Sequence, residues 1–130
     1  MNSDDRIRQF EEGTASADNF HHADHVRLAF DYVCRYSVLE AVQRLSDGLK
    51  RFAAAQGKAD RYHETITWAY LLLIHERIAR TGCVQTWEEF AECNGDLLVW
   101  KDGVLSTLYR QETLDSDFAR HVFVLPDRGR

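Results

Sequence analysis

The chain has a single proline, Pro126, close to the end of its 130 residues. Glycine is also sparse, with 7 in all. A chain so short of breakers lacks the signals that cut sheet proteins into strands, and a helical fold is expected. Basic residues are outnumbered: 16 Lys and Arg stand against 21 Asp and Glu, a net charge of −5. That balance argues against a nucleic-acid binder, which carries a basic stripe. Cysteine is scarce, and Cys34, Cys83 and Cys93 are an odd number without metal-type spacing. No disulfide framework is indicated, and a cytoplasmic location is expected. The charged stretch 1–13 contains no apolar core of a secretory signal, so none is expected. The longest nearly apolar run, residues 66–74, is nine residues with Thr67 inside it. It is too short to cross a bilayer and suits a buried helix, so no membrane partner is expected.

What is present is enough to bury a core. At 45% hydrophobic and 12% aromatic, a chain of this length forms one domain. The expected fold is an all-α, single-domain bundle of four to five helices over residues 19–121. A flexible arm (1–18) precedes it and an extended tail (122–130) follows. Within the arm, residues 3–13 read as a short polar helix or a frayed segment anchored by Ile7 and Phe10. The first strong helix is expected over 19–37, capped by Asp18 or Asn19, with Arg27, Asp31 and Arg35 on its wet side. A second, over 38–56, places Leu39, Val42, Leu45, Leu49, Phe52 and Ala53 at helical spacing. Gly57 stands where a left-handed residue closes a helix. The third is expected over 61–81, from a cap at Asp60 to a stop at Gly82. Thr86 with Glu89 is the signature of a capping box, opening a short helix to Cys93. A fifth segment, 97–109, is interrupted by Gly103, and one more turn is expected over 116–121.

Four of the six histidines fall in two short windows, His21-His22-Ala23-Asp24-His25 and His63-Glu64. Residues three apart on a helix are neighbours, so His22 and His25 share a face. Short loops make consecutive helices antiparallel, so helices one and three run the same way and both clusters meet at one end of the bundle. A helix start carries partial positive charge and disfavours a cationic imidazole. His75 lies about 18 Å further along its helix, in a different layer.

Three imidazoles, His22, His25 and His63, form a candidate metal set that leaves one coordination position open, as catalytic zinc prefers. Iron is a second candidate for such ligands, with Glu64 or Asp24 as carboxylate partner. The first functional expectation is therefore a metal-dependent enzyme acting on a small molecule, with Glu64, Thr67 and Tyr70 as its catalytic side chains. A second keeps the pocket without metal, as a general acid–base enzyme or isomerase with His25 oriented by Glu64. A third is a non-enzymatic ligand-binding or interaction module with Trp- and Phe-rich walls. Cys34 reads as a small core residue and Arg120 as a surface ion-pair partner or an anchor for an acidic group. A homodimer is open to so small a helical domain, although no heptad pattern specifies one.

The strings Phe20-His21-His22-Ala23-Asp24-His25 and Tyr62-His63-Glu64-Thr65-Ile66-Thr67 resemble an uncharacterised family of small helical bacterial proteins. Its pattern is Phe-x-His-x-x-His before one helix and Tyr-His-x-Thr-x-Thr at the start of a later one. The likeness extends from Phe20 to a tail similar to Val124-Leu125-Pro126-Asp127. His22, His25, His63, Thr65 and Thr67 are the matching positions, while Glu64 falls at a variable one. The resemblance implies that the two clusters make one site, and it supplies no reaction, substrate or cofactor.

Overall fold

Residues 2–13, 20–81 and 86–128 are described in a computed structural model of the chain. The expected caps at Asp18 and Asn19, the stop at Gly82 and the residue Cys83 lie outside them. Among the described residues the fold is all-α without a strand, and five helices have seven residues or more.

Helix α1 (Ser3–Glu11) is no frayed arm. Asn2 caps it, accepting the Asp5 backbone N–H at 2.8 Å, and Asp4 and Asp5 face the positive end of its dipole. Ile7 and Phe10 are buried. Helix α2 (His22–Arg35) begins one residue after His21, whose backbone N–H is taken by the Asp24 carboxylate at 2.9 Å. That bond from the third helical residue fixes the start at His22 instead of residue 19. Asp31, expected on the wet side of α2, is completely buried. Arg6 of α1 grips it with Nε at 2.7 Å and Nη2 at 3.0 Å, and Ser3 adds a hydroxyl at 2.7 Å. Packing of α1 across that face therefore turns a surface position into a buried charge with its partners in place. Cys34 is exposed, not in the core.

Helix α3 (Val38–Ala55) is capped by Ser37 and ends as its glycine predicts. Gly57 has φ +68°, with its N–H on the Ala54 carbonyl at 3.0 Å and that of Lys58 on Ala53 at 2.8 Å. These two bonds are the Schellman pair. A short 3-10 turn (Ala59–Arg61) follows, so α4 (Glu64–Thr81) starts three residues later than expected and from a different cap. The cap is His63, whose Nδ1 accepts the Ile66 N–H at 3.2 Å.

Helix α5 (Trp87–Cys93) opens with the expected reciprocal box between Thr86 and Glu89. The fifth segment over 97–109 is interrupted at Gly103, as expected. A 3-10 turn (Gly95–Leu98) leads to a tight bend in which Asp102 has φ 54° and Gly103 packs on its own backbone. A Cβ at Gly103 would lie 2.2 Å from the Val99 carbonyl oxygen. Three short helices follow: α6 (Leu105–Leu108), α7 (Gln111–Leu114) and α8 (Asp117–His121). Helices α2, α3 and α4 pack on one another around a core that includes Val26, Phe30, Tyr32, Leu45, Leu71 and Ile74. Helix α1 closes one flank, and α8 lies on α4. No helix among the described residues is long and apolar enough to cross a membrane.

Candidate functional site: a histidine-walled cavity

A cavity of about 950 Å³ opens where α2 and α4 begin and α3 ends. The start of α2 supplies His22, His25, Val26 and Ala29, and the start of α4 supplies His63, Ile66, Thr67 and Tyr70. From the last turns of α3 come Leu49, Phe52, Ala53 and Gln56. Two helix starts and one helix end at a single site are what an up-down-up order requires. The bend at 100–102 and residues of α6 to α8 complete the wall.

The first cluster offers free hydrogen-bonding atoms to this space. His25 packs edge-on against Phe20 with ring centroids 4.2 Å apart. Its ring nitrogens have no protein partner among the described residues, yet neither is sealed from solvent. Burial holds its pKa down at about 4, helped by neighbouring His22 and opposed by Asp24. His25 is therefore a neutral imidazole at physiological pH. His22 donates from Nε2 to the Leu97 carbonyl at 2.9 Å, which leaves Nδ1 as an acceptor. Its ring lies between Tyr70 (5.0 Å) and Trp100 (5.2 Å), and Trp100 is 58% exposed at the mouth. The Tyr70 hydroxyl has no protein partner among the described residues. Burial in an apolar wall pushes its pKa up to about 12, with Asp96 adding to the shift, so it stays a donor.

The second cluster is committed elsewhere. His63 caps α4 through Nδ1 and donates from Nε2 to the Leu114 carbonyl at 2.7 Å. Both ring nitrogens are occupied, which fixes a single neutral tautomer with its proton on Nε2. Burial lowers its pKa, the Leu114 carbonyl opposes that shift, and Arg120 adds to it. Thr65, fully buried, shares its one hydroxyl proton between the carbonyls of Ala119 (2.7 Å) and Val122 (2.9 Å). It accepts the Val124 N–H at 3.1 Å. Tyr109 donates to the Val124 carbonyl at 2.6 Å, and Asp127 accepts from the Arg110 N–H and the Thr113 hydroxyl. His63 and Thr65 of the Tyr-His-x-Thr motif thus form a clamp that seats the C-terminal segment on α4.

Glu64 does not line the cavity. Its carboxylate takes the Tyr62 hydroxyl, the Ser46 hydroxyl (3.0 Å) and the Trp68 indole N–H (3.1 Å), with Lys50 at 3.7 Å. The expected pairing of Glu64 with His25 is therefore corrected, because the carboxylate is turned into the contact between α3 and α4. Of the residues expected in the site, the cavity brings together His22, His25, His63, Thr67 and Tyr70, and it leaves out Glu64 and Asp24. Among the described residues no group of three or more His, Cys, Asp or Glu is arranged to hold a metal ion. His75 is absent from the cavity wall, as expected.

Lys101 and Asp102 carry no sequence signal of a place in the wall. Trp100, Lys101 and Asp102 reach the site only because the bend at Gly103 breaks the chain there. Arg120 lines the cavity and donates to the Asp60 carbonyl at 3.0 Å, with no carboxylate as an ion-pair partner among the described residues. Comparison of the chain with family models, curated proteins and solved structures finds no match.

Proposed function

We propose that the chain is a small-molecule-binding protein whose ligand enters the cavity and is oriented by His25 and Tyr70. One observation carries the reading: a large, mostly apolar space is lined by the neutral His25 ring and the Tyr70 hydroxyl, neither with a hydrogen-bond partner among the described residues. Ligand sites combine an apolar wall with a few convergent polar atoms, in volumes of roughly 300 to 1,000 Å³. A cavity of about 950 Å³ with His25, Tyr70 and the Nδ1 atom of His22 fits that description.

Binding is favoured over the two enzyme readings on stated grounds. General base catalysis is strongest when the pKa lies near the working pH, and that of His25 lies near 4. A three-histidine metal set needs a lone pair from His63, which would have to abandon either Ile66 or Leu114.

The test is uptake of an uncharged aromatic probe, N-phenyl-1-naphthylamine, followed by its fluorescence. The expected result is saturable one-to-one uptake by the parent, abolished by Ala53→Trp, which fills the cavity from a half-exposed position. Unfolding midpoints of parent and variant should agree. Uptake unaffected by Ala53→Trp, or no uptake by the parent, contradicts the reading.

A further inference from the structure

The mouth of the cavity carries a charge that the rest of the chain does not. Lys58, Arg61, Lys101 and Arg120 line it, against Asp102 and Asp115, an excess of two positive charges in a chain of net charge −5. Elsewhere six arginines meet carboxylates, among them Arg6 with Asp31, Arg35 with Asp4, Arg44 with Glu40, Arg77 with Asp96 and Arg80 with Glu76, while Arg27 lies over Trp87 and Arg128 bonds the Ser106 carbonyl. None of the four cations at the mouth has a carboxylate partner among the described residues, and Arg120 is held by a backbone carbonyl. Lys58, Arg61 and Lys101 are exposed, which puts their charges at the entrance instead of in the apolar interior. The interior behind them is formed by side chains such as Val26, Leu45, Phe52, Ile66 and Leu105.

Resting on the ligand-binding reading, we propose that the ligand is an amphipathic organic carboxylate. Its hydrocarbon or aromatic body fills the interior, and its acid group is held at the mouth by Arg61, Lys58 and Lys101. A planar guanidinium matches a carboxylate in two-point contact, and Arg61 is free to make it. Unpaired cations around a low-dielectric cleft focus the field and raise the local concentration of anions, even on an acidic protein. The two aspartates at the same rim favour a monoanion over a more highly charged group. The carboxylate end and the buried end are recognised separately, so an alcohol of the same chain length should keep only the second contribution.

The experiment is calorimetric titration with decanoate and with decanol, below aggregation, for the parent and for the double variant Arg61→Gln, Lys101→Gln. Among the described residues neither side chain bonds another element, so folding should be unchanged. Arg120 is left intact because it holds Asp60. The parent should bind decanoate about tenfold or more tighter than decanol at low salt, since each nearby exposed cation contributes about fivefold before screening. The double variant should lose about tenfold on decanoate and nothing on decanol. Added salt should weaken decanoate and spare decanol in the parent, a readout that needs no variant. Equal affinities with no effect of the variant overturn the carboxylate assignment while the cavity stands. Binding of neither molecule overturns both readings.

Discussion

His25 and His63 stand at the starts of parallel helices and line the same cavity, yet the molecule treats them in opposite ways. His63 has both nitrogens bonded to backbone, one to its own helix and one to Leu114, fifty-one residues away. His25 has neither nitrogen bonded among the described residues and is neutral because burial lowers its pKa. A histidine cluster is therefore not one kind of signal. The number of ring nitrogens left without a partner separates a residue that builds the wall from one that addresses what lies inside it.

Substitutions that break the wall-building side should have the largest effects. Thr65→Val removes one hydroxyl that serves two carbonyls and one N–H, leaving buried backbone groups unpaired. A loss of about 3 kcal/mol is expected in urea unfolding. His63→Ala should cost about 2 kcal/mol, from the lost cap and the lost bond to Leu114. His63→Asn should recover about 1 kcal/mol of that, because Asn restores the cap without reaching Leu114. Limited proteolysis should release the segment after Leu114 faster in both variants that break the clamp, Thr65→Val and His63→Ala.

Acid sharpens the contrast next. Burial holds the His25 imidazole at about 4 in the folded chain against an ordinary value of 6.5. Between those values the unfolded chain holds the extra proton, so stability is complete above about pH 6.5 and falls as pH drops toward 4. The loss assigned to His25 should be about 1.5 kcal/mol once water in the cavity is allowed for. It should be missing from His25→Phe, compared by unfolding at matched pH. His63, lowered in the same direction, leaves a residual slope of the same sign in that variant. The smallest effect is His25→Phe at neutral pH, less than about 1 kcal/mol, because the ring contact with Phe20 is kept and no hydrogen bond is lost.

Much of the fold was legible because its signals are local. Gly57 at its left-handed closing position, the Thr86–Glu89 box and the helical spacing of α3 each act within a few residues. The meeting of the two clusters followed from loop length and helix direction alone. Asp31 was misplaced because the helix that buries it lies upstream, and nothing around Asp31 records that Arg6 will reach it. The role of His63 and Thr65 is hidden for a related reason. Their partners include backbone carbonyls at Leu114, Ala119 and Val122, and a backbone acceptor leaves no mark in a sequence of side chains. The interruption of the segment 97–109 at Gly103 was legible, and the bend there allows no Cβ. The same bend carries Trp100 and Lys101 to the mouth.

The most direct measurement is the nitrogen-15 spectrum of the histidine rings at pH 8, without and with decanoate. His63 should appear as the tautomer protonated on Nε2, with Nδ1 accepting from Ile66, unmoved by the ligand. His25 should remain neutral but shift its ring resonances as decanoate binds. A His63 ring that changes tautomer or gains a proton, beside a His25 ring that ignores the ligand, would contradict the division of roles between the two clusters.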